Sequence, residues 1–195
     1  ADAQGFGYFS GQGGMAILSR YPIEQDGIRD FSDLLWRDLP GALLPVHPDG
    51  TPFPSAQAQA VQRLSTTAHW VVPIRLPGGS VFTLLTFQAG PPVFDGPEDR
   101  NGRRNHDEIR FWQLFLDGAF GAPVRENFAL VGGANLDPAD SDGRREAIRA
   151  LLSDPRLQDP EPRSARGHAG RDATDTVDWP RVGQLRVDYI LPAAD

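Results

Sequence analysis

Phe128-Ala129-Leu130-Val131 is an apolar run that opens into the segment Gly132-Gly133-Ala134-Asn135-Leu136-Asp137-Pro138. A strand end backed by a rigid sheet is a common seat for an active site. Asn135 has two readings there: a side-chain amide that donates to a bound ligand, or a turn residue, because Asn-Leu-Asp-Pro is good turn chemistry. A second group, Asp95, Glu98, Asp99, Asp107 and Glu108, offers carboxylates that can hold a cation. Its plainer reading places Asp107 and Glu108 at a helix N-terminus, where the dipole favours negative charge. Asp95 and Asp99 then cap turns and pair with Arg100, Arg103 or Arg104. Asp137 to Gly143 hints at a calcium loop, but the register fails: Pro138 sits at the first ligand position and Arg149 at that of the bidentate glutamate. His69, beside Trp70 on an alternating apolar stretch, reads as a hydrogen-bonded core or interface histidine. The glycines from Gly5 to Gly14 make no dinucleotide fingerprint, since no strand precedes them and a strand, not a helix, follows.

Elements must position these groups. Met15-Ala16-Ile17-Leu18 reads as a short strand closed by Ser19-Arg20-Tyr21-Pro22. Residues 24–62 mix a short helix around Phe31–Trp36 with Pro-rich loop. Strands are expected near Ala68–Leu76 and Ser80–Phe87, joined as a hairpin by Pro77-Gly78-Gly79. Pro91–Arg104 reads as loop. Asn105-His106-Asp107-Glu108 matches a capping box, with Asn105 as N-cap and Glu108 reaching back. Ile109, Trp112, Phe115, Leu116 and Ala119 then recur at helical spacing, and Gly118 and Gly121 mark the end. A second helix is expected over Gly143–Leu152, stopped by Asp154-Pro155. Residues 155–184 read as a long loop, and Leu185–Leu191 as the last strand. Strands interspersed with helices predict an α/β layered fold.

Composition narrows the function classes. At 195 residues the chain is one domain or part of one. A net charge of -7 gives no basic stripe of the kind duplex-DNA binders show, although a bound divalent cation can offset acidic surroundings and leaves nucleic acid open as a substrate. All 19 basic residues are Arg, which removes lysine Schiff-base chemistry and Walker-type phosphate loops. The absence of Cys removes disulfides and thiolate metal sites. No apolar run reaches membrane-spanning length, and no signal peptide opens the chain.

Four segments, in order, resemble the endonuclease/exonuclease/phosphatase superfamily, and most its large, phytase-associated secreted bacterial branch. Gly14-Met15-Ala16-Ile17-Leu18-Ser19-Arg20-Tyr21-Pro22-Ile23 is similar to the family strand G-x-A-I-L-S-R-Y-P-I. Arg63 to Trp70 resembles its R-L-S-S-K-S-H-W segment. The stretch Pro91 to Arg110 looks like a branch signature, and Arg186-Val187-Asp188-Tyr189-Ile190-Leu191-Pro192 is similar to R-V-D-Y-x-L-P. The resemblance implies part of a four-layer α/β sandwich, with mixed or antiparallel sheets inside and helices outside. It also implies hydrolysis of phosphate esters with Mg²⁺ or a similar divalent cation, and an extracellular or periplasmic location.

The same resemblance assigns roles residue by residue. Asn135 matches the Asn of the family motif GDxN, which donates to phosphate or orients the nucleophile. Asp188 matches the carboxylate that orients the catalytic His. Gln88 falls where the family has a phosphate-contacting His, and Gly133 where it has the catalytic Asp. Glycine can neither accept a proton nor hold a metal, and Gln88 donates hydrogen bonds without becoming cationic near neutral pH. The metal-binding Glu of an earlier strand and the closing Ser-Asp-His have no counterpart between Ala1 and Asp195. The chain is therefore expected to be a partial domain over residues 1–195, with little or no activity of its own and no tightly bound cation. It would be liable to self-associate through an exposed sheet edge. The alternative is a non-catalytic binding module of the same fold.

Overall fold

The stretch from His69 to Gln88 folds as a long hairpin in the computed structural model, which describes residues 8, 9, 11–164 and 173–194. Strands β2 (His69–Arg75) and β3 (Val81–Gln88) pair antiparallel in full register. Gly78 and Gly79 turn the chain between them at φ +95° and +89°, values that favour glycine. Strand β4 (Phe128–Gly133) lies parallel to β3, and β7 (Asp188–Pro192) antiparallel to β4. With the two-residue β1 (Arg29–Asp30) the order is β1-β2-β3-β4-β7, a mixed sheet. The crossover from β3 to its parallel neighbour β4 contains α2 (Arg100–Leu116). Helices α1 (Ala56–Val61) and α3 (Glu146–Leu152) are short. The α/β expectation with a mixed sheet holds.

One sheet face carries the core. Leu85, Phe87, Leu130, Tyr189 and Leu191 pack with Ile109, Phe111, Trp112 and Phe115 of α2 and with Ile148 and Leu151 of α3. Each fully buried side chain of this size contributes about 1.5–3 kcal/mol. The opposite face, by alternation, presents Thr86, Gln88, Val131, Gly133, Asp188 and Ile190. Among the described residues no strand pairs with the outer side of β7, although Gln158 N donates to Pro192 O at its end (2.8 Å); on the opposite face Ile190 is 60% exposed.

Several local expectations change. Met15–Leu18 joins no strand, and Leu18 is 94% exposed. An apolar run becomes a strand only against a ladder partner, and none is offered to it among the described residues. The helix expected around Phe31–Trp36 reduces to a 3-10 turn, Trp36–Asp38. Bonds to the distant segment 62–64 claim its backbone: Trp36 N donates to Gln62 O and Leu64 N to Leu34 O, both at 2.8 Å. Helix α1 replaces part of the expected loop; Ser55 Oγ caps it by accepting from Ala58 N at 3.1 Å. The last strand is split. Gly183–Leu185 (β6) pairs with β5 (Val177–Trp179) in a separate two-stranded hairpin inside the expected long loop. The break falls where Arg186 N turns to Asp137 Oδ2 (2.9 Å) and Val187 N to Thr176 Oγ1 (3.0 Å). Part of that loop, 165–172, lies outside the described residues.

Candidate functional site

Register brings three of the sequence-derived site residues into one row. Gln88 on β3 lies opposite Gly133 on β4, and Gly133 lies opposite Asp188 on β7. Directly opposed residues share a sheet face, so the three stand side by side. They line a cleft of ≈ 490 Å³ with Met15, Thr86, Val131, Thr176 and Ile190. Asn135 stands two residues beyond the row and outside that lining. Its φ of 51° is left-handed, and its Nδ2 donates to Ala89 O at 2.8 Å. Both features suit the turn reading. Gln88 Nε2 reaches the same carbonyl at 3.2 Å.

Among the described residues the charge lining this cleft is sparse. Asp188 is exposed and is the single carboxylate among the described lining residues; its backbone N–H donates to Thr176 Oγ1 at 3.1 Å. Arg186 also lines the cleft, but its guanidinium is bound in a fork to Asp159, at 2.7 and 2.5 Å, and lies 4.6 Å over the Tyr189 ring. That fork holds the Asp159 carboxyl below its usual range. Burial raises the Tyr189 phenol, whose hydroxyl lies within hydrogen-bond distance of the carbonyls of Arg186 (2.8 Å) and Leu136 (3.0 Å). The divalent cation implied by the family resemblance does not fit these residues. Magnesium needs oxygen ligands in near-octahedral array, whereas Gly133 supplies no side chain and Gln88 no charge. No group of three or more His, Asp or Glu able to hold a metal occurs among the described residues.

The other sequence candidates resolve into structural roles. Asn105 and Glu108 do not cap α2. The helix begins at Arg100 after Asp99, and both residues lie in its interior, buried to 1% and 0% exposure. The capping motif is overridden because the buried face of α2 extends back through polar residues, Asn105 and Glu108, and Gly102. Asp99 pairs with Arg144 (2.6 Å) rather than with Arg100, Arg103 or Arg104, while Asp95 accepts from Asn101 N. Asp107 is buried, accepting from Trp36 Nε1 and Leu43 N at 2.7 Å each. Asp137 anchors the β4 exit turn by accepting from Ala139 N (2.7 Å) and Asp140 N (2.8 Å). His69 is fully buried, with Nδ1 2.6 Å from Ser65 Oγ and Nε2 2.9 Å from Glu108 O. Both ring nitrogens are satisfied, and burial holds its pKa down to about 4. What sequence reasoning missed is the polar interior of α2. Continuing the Ile109–Trp112–Phe115 period backward one turn was the available signal.

The family model bears on the family and the solved structures on the fold. The Endonuclease/Exonuclease/phosphatase family model matches residues 2–195. Sphingomyelinase C from Streptomyces griseocarneus superposes with a TM-score of 0.50 at 16% identity, over 89% of this chain and 50% of that one. At this identity the likeness is one of fold. A beta toxin from Staphylococcus aureus with bound magnesium ions matches at 10% identity and a TM-score of 0.42, over 69% of this chain and 43% of that one, too distant to carry an argument. This chain thus spans about half the length of those structures or less. No curated protein sequence matches it. On the family match, which covers almost every residue, the chain belongs to the endonuclease/exonuclease/phosphatase family.

Proposed function

We propose that this chain is the later portion of a phosphoester-hydrolase scaffold and turns over little or no substrate by itself. The observation that carries this reading is the Gln88–Gly133–Asp188 row. It has the placement of a strand-end hydrolytic site, yet it holds one carboxylate, one neutral amide and no side chain at its centre. Phosphoryl transfer needs charge stabilisation at phosphorus and a base for the nucleophile; among the described residues the row offers the Asp188 carboxylate alone for these tasks. An extracellular or periplasmic location belongs to the same proposal and rests on the branch resemblance of Pro91–Arg110. No helix among the described residues is long and apolar enough to cross a membrane. A binding role for the cleft is the second reading, favoured by its mostly apolar wall of Met15, Val131 and Ile190.

The test is an assay of the purified chain on bis(p-nitrophenyl) phosphate, plasmid DNA and sphingomyelin vesicles, each with Mg²⁺ and with chelator. Turnover at the background rate in all conditions is expected. Rapid hydrolysis abolished by chelation would overturn the proposal.

A further inference from the structure

The hydrogen bonds around Ala89 and Gly90 converge on one peptide plane. Gly90 N–H donates to Glu108 Oε2 at 2.8 Å. Ala89 C=O, on the opposite edge of the same plane, accepts from Asn135 Nδ2 at 2.8 Å and Gln88 Nε2 at 3.2 Å. A trans peptide is rigid, with its N–H and C=O pointing oppositely. Fixing the N–H therefore fixes the direction of the carbonyl that the two cleft-side amides share. Asn105, one turn earlier on α2, donates through Nδ2 to Gly90 O and Ala134 O, both at 2.7 Å. This bond lies beyond the last rung of the β3–β4 ladder, Ala89 N to Gly133 O at 2.9 Å, and ties the two strand exits together. Glu108 Oε1 also takes the Thr66 N–H. Gly90 permits this close approach, since a Cβ there would stand 2.7 Å from Thr66 Oγ1.

We propose that Glu108 is a positioning residue that orients the Ala89–Gly90 peptide and, through it, the side chains of Gln88 and Asn135, while Asn105 ties the next peptide, through Gly90 O, to the β4 exit at Ala134 O. Packing alone does not account for them. A buried carboxylate is costly to desolvate, and apolar residues of similar size fill a core at lower cost. Asn105 Oδ1 has no hydrogen-bond partner among the described residues, so the amide is held by what its nitrogen donates. Glu108 and Asn105 satisfy four backbone groups that no ladder reaches. The proposal concerns the geometry beside the cleft and is independent of whether the cleft hydrolyses anything.

¹H–¹⁵N spectra of the whole chain test it. In Glu108→Ala the side-chain NH₂ signals of Gln88 and Asn135 should move, and in Glu108→Gln, which keeps one acceptor oxygen, they should return most of the way. The Trp36 Nε1 signal, held by the separate carboxylate of Asp107, should stay in place in both. Hydrogen exchange of the unaltered protein supplies a reading that needs no variant. Gly90 and Thr66 amides, though outside the ladders, should exchange at least about tenfold more slowly than open-loop amides. Unmoved Gln88 and Asn135 signals, a shift shared by every residue, or loop-like exchange at Gly90 would each overturn the proposal.

Discussion

The far end of Gln88 occupies the space above Gly133: a Cβ built on Gly133 would stand 2.8 Å from Gln88 Nε2 and closer still to Oε1. The two positions are therefore coupled, and a residue can grow at 133 only if 88 shrinks or turns away. Gly133 has no left-handed φ to defend, so the constraint comes from its neighbour and not from its backbone.

A double-mutant cycle measures this coupling. Gly133→Ala should be near neutral, because the gain of about 0.4–1 kcal/mol from a stiffer unfolded chain is offset by displacing Gln88. In a Gln88→Ala background the same change should stabilise by about that amount. Urea unfolding of the four proteins gives the coupling energy, expected on the order of 0.5–1 kcal/mol. Strict additivity would show that Gln88 does not sit over Gly133.

The pH dependence of stability should carry two opposed contributions. Burial pushes the Glu108 carboxyl up to about 6 from 4.5, against the pull of Arg104 and the Thr66 and Gly90 N–H groups. Across that window the folded protein holds a proton that the unfolded chain releases, so stability falls as pH rises, by about 2 kcal/mol. Burial holds His69 down to about 4 from 6.5. There the unfolded chain takes the proton, and stability falls as pH falls, by about 3 kcal/mol. The two slopes oppose each other between pH 4.5 and 6. Glu108→Gln removes one of them, so the variant should gain stability relative to the parent as pH rises through this window, on the order of 2 kcal/mol. Unfolding free energies taken at half-unit steps from pH 4 to 7 decide it; parallel curves would mean that Glu108 titrates alike in both states.

Local periodicity made much of this fold legible. The β2–β3 hairpin, β4 and the body of α2 follow from apolar runs, the Pro77-Gly78-Gly79 turn and the Ile109–Trp112–Phe115 spacing. What failed depended on partners distant in sequence. Met15–Leu18 has strand composition but no neighbouring ladder, and Leu185–Leu191 divides because Asp137 and Thr176 claim its middle. The start of α2 differs from expectation because Asn-His-Asp-Glu has the composition of a cap, while tertiary contacts with Gly90, Thr66 and Trp36 make it interior. Gln88, Gly133 and Asp188 were named one by one from a family resemblance. Their alignment in a row is a property of strand register, which no single segment encodes.

Asp107 should matter more to folding than its place in an acidic cluster suggests. Its carboxylate accepts from Trp36 Nε1 and Leu43 N, and Oδ1 lies 3.0 Å from His106 Nδ1. Asp107→Ala would leave two buried donors unmet, at a cost of about 2–4 kcal/mol. Calorimetry should show a fall in Tm of roughly 5–15 °C for a chain of this size. Asp107→Asn, which keeps one acceptor, should fall less. A Tm change within a degree for Asp107→Ala would mean that water meets these donors instead.

Arg186 and Asp159 make a pair whose worth depends on which partner is removed. Their side chains are 6% and 16% exposed, and the fork between them is short at both ends. Asp159→Asn leaves a buried guanidinium without its counter-charge and should cost about 3–5 kcal/mol. Arg186→Lys should also weaken the site, since an ammonium cannot reproduce the planar fork or its stacking on Tyr189. Replacing both, as Arg186→Met with Asp159→Leu, removes the charges together and should cost less than Asp159→Asn alone. The backbone of Arg186 would still be held by Asp137 and by the Tyr189 hydroxyl, so the cleft wall should persist in the double variant. Urea midpoints for the three proteins provide the comparison. A double variant less stable than Asp159→Asn would show that the fork itself, and not merely the neutralisation of a buried charge, supports the β7 side of the cleft.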